Sequence, residues 1–261
     1  MPELPDLEVF KTNIFKRLSS KRLVETEVFN VLKVTAHRGA PLTEINGLEL
    51  LRVDRLGKEL IFDFGGRRII AVHLMLSGTV SIVAREEASA VKYSIFAMHF
   101  ERETLVFSDK GKKCTVKYKP AQSRTPDAFS AAFTPEYFLA EAQKHAIVKA
   151  KAFLIDQGVV RGIGNAYADE ILWAARVSPH SFMGSIPRDV MLTLFDSTGA
   201  VLRNAIDSIK NIAPDIISGE ERSFLKVHSK TLKETETGFP IIVEQIASKK
   251  TYYTEEQVLY K

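Results

Sequence analysis

The chain has 261 residues, 45% hydrophobic and 26% charged, with a formal net charge of +4 at pH 7. That composition describes a soluble globular protein of one large or two modest domains, with no apolar run of membrane-spanning length and no signal-peptide layout. A single cysteine, Cys114, excludes an internal disulfide and any multi-thiolate zinc site. The opening MPELPDLEVF places Pro2 behind a methionine that is commonly removed before a small residue, which would leave a secondary amine beside Glu3. Residues 5–18 carry Leu7, Phe10, Ile14 and Leu18 at steps of three and four, which predicts an amphipathic helix.

From about 21 to 119 the pattern changes to short β-rich runs: RLVETEVF, LELLRVDRL, ELIFDF, RRIIAVHL, TVSIVA, YSIFAMHF, TLVFS and CTVKY. Many short strands separated by glycine or charged turns predict a β-sandwich or barrel. Within this region DKGKKCTVKYK holds Lys110, Lys112, Lys113, Lys117 and Lys119 against Asp109 alone. Such a cluster suits a polyanion, and equally a solvated edge strand blunted by lysine.

PAQSRTPDAFSAAF, 120–133, reads as a linker, after which the periodicity becomes helical. Thr134 caps and Pro135 opens the first of four helices, at about 134–144, 149–156, 165–175 and 187–210. Between the second and third, LIDQGVVRGIGNAYADEILWAARVSP turns through glycines, and Asn165 is read as the N-cap of the third. A helix start of this kind can hold phosphate. The GIG there is not a dinucleotide fingerprint, because Tyr167 stands where glycine or alanine is needed and a helix, not a strand, precedes it. Residues 238–257 read as two short strands around a basic turn.

Four stretches carry a specific resemblance: PELPDLEV at the start, GKEL at 57–60, HLMLSG at 73–78 and the DQGVVRGIGNAYADEILWAARVSP block. In order and separation they resemble the formamidopyrimidine-DNA glycosylase/endonuclease VIII family. The resemblance implies an α+β multidomain protein: a β-sandwich lobe over 1–120, a linker at 121–133, a helix–two-turn–helix domain over 134–225 and a finger hairpin over 226–261. It implies a bifunctional DNA glycosylase/AP lyase acting on oxidised bases in double- or single-stranded DNA as a monomer. An intracellular setting is expected, the cytoplasm or nucleoid if bacterial and the nucleus if eukaryotic, with no membrane association.

The chemistry fits the first residues. Strand cleavage after base loss needs an amine to attack C1′ and form an iminium. An ordinary α-amino group is roughly one-seventh neutral at pH 7, an unshifted lysine far less. Pro2 is therefore the expected nucleophile, Glu3 the adjacent acid and base, and Lys58, by resemblance, a proton donor and phosphate contact. Asp6 stands where the family usually has glutamate, so its support role is open beside a plain helix-start role. By resemblance Leu76 fills the place of the family's intercalating methionine, while Gly111, Lys112 and Lys113 replace its arginine and phenylalanine. Asn165, Lys151 and Lys249 are the expected DNA contacts. Lys151 could equally be a solvated helix residue. Lys249 stands where the family has a phosphate-gripping arginine and supplies charge without a fork.

The finger's four metal-ligand places are Glu234, Thr237, Thr254 and Gln257, which do not make a tetrahedral zinc site. A zincless finger held by packing is expected, with Ile241, Val243, Tyr252 and Tyr253 as candidates for that packing, and with no cofactor. The rival reading is a non-catalytic binder of damaged or single-stranded DNA on the same fold.

Overall fold

The computed structural model describes residues 1–36 and 39–261, which divide into two compact units. The first comprises Met1–Ser123 and Ile209–Glu220. It opens with α1 (Leu4–Leu18), whose Leu4, Leu7, Phe10, Ile14 and Leu18 are buried as the periodicity predicts. Among the described residues nine strands follow: β1 (Leu23–Val28), β2 (Val34–Ala36), β3 (Arg52–Leu56), β4 (Glu59–Asp63), β5 (Ile69–His73), β6 (Thr79–Ala84), β7 (Ser94–Phe100), β8 (Glu103–Ser108) and β9 (Thr115–Tyr118).

They form a four-stranded sheet, β1-β7-β8-β6, and a five-stranded sheet, β2-β9-β5-β4-β3. Alternation along the strands selects the inner faces. Leu60 and Phe62 of β4, from one sheet, share a core with Leu105 and Phe107 of β8, from the other. Phe62 and Phe107 meet edge to face at 5.7 Å. Eight of these nine strands fall on the predicted runs. The extra one, β2, is three residues long and pairs in parallel with β9.

The second unit comprises Arg124–Ser208 and Glu221–Lys261. It contains α2 (Pro135–Lys144), α3 (Ala150–Ile155), α4 (Asn165–Ala174), most of α5 (Arg188–Ile212) and the hairpin β10 (Ile242–Ile246)–β11 (Lys249–Tyr253). Thr134 caps α2 as predicted, accepting from the Tyr137 N–H at 3.2 Å. Phe133, Phe138, Phe153 and Phe195 interlock through ring contacts of 5.1–5.9 Å.

The boundary near residue 123 lies close to the predicted linker, but two segments group differently from the sequence reading. The hairpin clusters with the helices, because the C-terminal stretch of chain returns along them. The Val258 N–H donates to the Arg176 carbonyl at 2.8 Å, and the Gln257 amide donates to the Val177 carbonyl at 2.8 Å. Residues 209–220 cluster with the sandwich. Asn13 Nδ2 donates to the carbonyls of Pro214 and Ile216, both at 2.8 Å, and Ile216 and Ile217 pack on the sandwich core.

Candidate active site and DNA-facing surfaces

Pro2 and Glu3 precede α1 directly, and both are buried. Glu3 is the N-cap, in extended backbone, and Asp6 occupies the third helical position. The Asp6 carboxylate accepts from the Glu3 N–H at 2.8 Å, and the reciprocal arm from the Glu3 side chain to the Asp6 N–H completes a capping box. Asp6 thus has the helix-start role that its sequence position suggested. Its wholly buried carboxylate fixes the backbone of the residue that carries the candidate acid.

The N-terminal ammonium of the full chain is paired with Glu220, on the strap that follows α5. That strap is pinned by Asn13 and by the Ser218 hydroxyl, which accepts from the Val80 N–H at 2.9 Å. The Glu220 pair belongs to the chain that retains Met1, since removing the methionine moves the terminal amine to Pro2.

Lys58 is the second residue of the two-residue turn joining β3 to β4, across which Leu56 pairs with Glu59. Gly57 supplies the left-handed backbone at φ +62° that this turn needs. Lys58 is only 9% exposed, so it is not a solvated hairpin tip.

Leu76 lies on a tight turn closed by the Gly78 N–H to Leu74 carbonyl bond of 2.9 Å. A Cβ on Gly78 would come within 2.2 Å of that carbonyl oxygen, so only glycine closes the turn. Leu76 stands 61% exposed. Next to it, the Ser77 hydroxyl donates to Asp109 Oδ1 at 2.6 Å. The same carboxylate accepts the N–H groups of Gly111, Lys113 and Cys114 at 2.6–2.8 Å. Burial pushes the Asp109 carboxyl up, but these four donors outweigh it and hold it below its ordinary range. One aspartate thus joins the Leu76 turn to the basic loop and leaves Lys110, Lys112 and Lys113 exposed.

Cys114 is buried behind this loop. Desolvation, aided by Asp109, pushes its thiol up to about 12. The folded protein is accordingly expected to resist alkylation by iodoacetamide at pH 8, with rapid labelling only after denaturation. Labelling of the native chain at the denatured rate would contradict this placement.

In the second unit Asn165 is the first residue of α4 and Gly164 the N-cap, so the predicted cap is displaced by one position. The Asn165 amide instead donates to the Lys250 carbonyl at 2.8 Å and ties α4 to the hairpin. Lys151, expected at the DNA surface, is wholly buried. Its ammonium donates to Asp169 and to the Asn165 carbonyl, the latter at 2.8 Å. The correction has a plain cause: Asp169 is an acid 18 residues away that only the fold brings near. Asp169 also accepts His228 Nδ1 at 2.6 Å and the Tyr252 N–H at 3.1 Å.

Lys249, by contrast, is exposed at the start of β11, beside a tip formed by Ala247 and Ser248 at φ +49° and +59°.

The four finger positions are engaged with protein. The Gln257 side-chain oxygen accepts the Thr254 N–H at 2.9 Å, and the Glu234 backbone bridges to Pro240. Among the described residues no cluster of three or more His, Cys, Asp or Glu side chains could hold a metal. Glu256 is bonded to two of the four positions, Thr237 and Thr254. It accepts Trp173 Nε1 and the Thr254 hydroxyl, each at 3.1 Å, and pairs with Arg176. Tyr252 is buried against Trp173 and Val227 with Ile241 beside them, as the packing expectation requires, whereas Val243 is exposed.

A β-sandwich unit that opens on Pro2 and Glu3, in a chain that also carries a helix–two-turn–helix and a finger hairpin, is the arrangement of a DNA glycosylase, and the comparisons bear out that class. The formamidopyrimidine-DNA glycosylase N-terminal domain model matches residues 1–116, and that enzyme's H2TH domain model matches residues 125–214. The formamidopyrimidine-DNA glycosylase of Chloroflexus aurantiacus is 30% identical over 217 residues, covering 79% of this chain and 77% of that one. That of Lactococcus lactis subsp. lactis is 28% identical over 244 residues, covering 88% and 89%. A solved complex of LlFpg with a THF-DNA and an inhibitor superposes with a TM-score of 0.84 at 24% identity, over 97% and 98% of the two chains. A complex between the Lactococcus lactis Fpg and DNA containing an abasic site gives 0.82 at 23% identity, over the same shares. The chain belongs to the formamidopyrimidine-DNA glycosylase family.

Proposed function

We propose that this chain is a bifunctional DNA glycosylase and AP lyase of base excision repair that removes oxidised bases through a Schiff base on Pro2. The observation that carries this reading is the buried Glu3 carboxyl, locked by the Asp6 capping box directly after Pro2. With Met1 removed, the Pro2 nitrogen attacks C1′ of a flipped-out nucleotide while the base leaves with the electrons of the glycosidic bond. Glu3 supplies the proton that the ring oxygen or the departing base requires. Loss of the nitrogen's proton leaves a neutral aminal, whose lone pair then expels the protonated ring oxygen. The C1′–O4′ bond breaks, the sugar opens with a free C4′ hydroxyl, and a cationic iminium remains at C1′. Abstraction of a C2′ proton and departure of the 3′ phosphate follow, and water then releases the amine. Lys58, at the buried β3–β4 turn, is read as a proton donor and phosphate contact.

Borohydride trapping on abasic-site DNA tests this. A covalent adduct is expected with the native protein, and its absence from a protein whose intact mass lacks Met1 would overturn the reading in favour of a non-catalytic binder.

The exposed Leu76 with three lysines, and neither an aromatic nor an arginine, supports action on single-stranded or already distorted DNA as well as duplex. Lysines neutralise phosphate but cannot stack in a vacated base position. Lys249 at the hairpin start is assigned to phosphate contact, and the protein is read as acting as a monomer. No helix among the described residues is long and apolar enough to cross a membrane.

The finger is read as metal-free, held by Glu256. Burial raises this carboxyl, but hydrogen bonds from Thr237, Trp173, Arg176 and Thr254 outweigh it and lower its pKa. A lowered folded pKa means the stabilisation is fully present above the unfolded value, about 4.3, and is lost as pH falls through the lower folded value. Excess EDTA at neutral pH is expected to leave melting unchanged. Glu256→Ala is expected to lower the melting temperature at pH 7, with the gap from the native protein closing in strong acid. A melting transition that drops with chelator would refute the metal-free finger.

A further inference from the structure

Arg55 faces inward from β3, in register with Val53, where the alternation calls for an apolar residue. A guanidinium there is tolerated only if its charge and its donors are met. Its side chain is 2% exposed, and its Nε donates to Glu8 Oε1 at 2.7 Å. Its Nη1 donates to the Gly57 carbonyl at 2.8 Å. These acceptors belong to different elements. Glu8 lies in α1, five residues beyond the N-cap Glu3, and Gly57 is the residue whose peptide continues into Lys58.

We infer that Arg55 is a positioning residue for the reaction: it fixes the Lys58 turn against the helix whose start presents Pro2 and Glu3. The inference rests on the reading of Lys58 given above. The planar fork reaches two acceptors in fixed directions, one on the turn and one on the helix, which a lysine ammonium on a flexible stem does not reproduce. α1 packs directly on β3, so the strand and the helix form the frame, and the guanidinium sets the turn within it. Glu8 is tied in turn to Lys11 at 2.8 Å, one helical turn further on.

The test is a double-mutant cycle on the full-length processed protein, using Arg55→Lys, Lys58→Ala and the pair, with Glu8→Gln as a milder variant that keeps an oxygen acceptor. Thermal melts establish that each variant is folded at the assay temperature. Single-turnover excision from a lesion-bearing oligonucleotide gives the rate, and titration gives KM. Arg55→Lys is expected to slow the chemical step by about ten- to a hundredfold, as misplacement of a catalytic group does. KM should change far less than the rate, because Lys58 is one phosphate contact among several and the others are untouched. Glu8→Gln should move the rate in the same direction by less.

In the Lys58→Ala background, Arg55→Lys should add little further loss, since its effect passes through Lys58. A folded Arg55→Lys at the native rate, or losses that simply multiply, would overturn the inference while leaving Lys58 in its role. A Lys58→Ala variant with native turnover would instead overturn the reading beneath it, and the inference with it.

Discussion

Replacing Glu3 with glutamine is expected to lower base excision by about 10²–10⁴-fold, the range ascribed to a general acid or base. DNA affinity should be retained. The substitution is well suited to the question because it leaves the fold's own use of this residue in place. The Glu3 backbone N–H still donates to the Asp6 carboxylate, and a glutamine oxygen can still accept from the Asp6 N–H. Pro2→Gly tests the other half. It is expected to abolish or greatly reduce the borohydride-trapped adduct, since a primary amine forms a neutral imine on losing its proton and gives a weaker electron sink. Peptide mapping of the adduct decides the matter: attachment at Lys58, or undiminished trapping in Pro2→Gly, would remove Pro2 from the nucleophile's place. Protein that retains Met1 should be inert in the same assay, because its Pro2 nitrogen is an amide.

Lys151→Met is expected to destabilise the protein by about 3–5 kcal/mol, the cost of leaving a buried charge unpaired. Both partners of the Lys151–Asp169 pair have fully buried side chains, so solvent offers no compensation. The loss should fall toward the lower end, because Asp169 keeps His228 and the Tyr252 N–H. Urea denaturation measures the first quantity. The salt dependence of DNA binding measures a second: removing one lysine that neutralises a phosphate should reduce the slope by about 0.9. An unchanged slope with a large stability loss is the outcome that burial predicts. An unchanged stability with a reduced slope would return Lys151 to the DNA surface.

Lys151 also illustrates how far the sequence could be read. Strands β3 to β9 and helix α1 follow from alternation and three-four spacing, signals that arise from local burial and survive in a single chain. The Pro2–Glu3 pair was visible because its chemistry depends on neighbours in sequence. What escaped depends on partners far along the chain. Lys151 in KAKAF looks like a solvated helix residue until the fold delivers Asp169. Arg55 falls in the predicted strand run LELLRVDRL, where nothing local marks its charge as paired until Glu8 is seen across from it. Asn165 was misplaced by one residue, the usual tolerance of helix ends.

The finger closed by Glu256 has a bearing on when this protein can work. Zinc–thiolate fingers are themselves targets of peroxide, which oxidises the sulfur and releases the metal. Here the finger positions carry oxygen and amide groups, and the chain's one thiol is buried and held protonated. On the function proposed above, a repair enzyme built this way has no sulfur-based weak point in its finger. Its grip should persist through the same oxidative episode that creates its substrates.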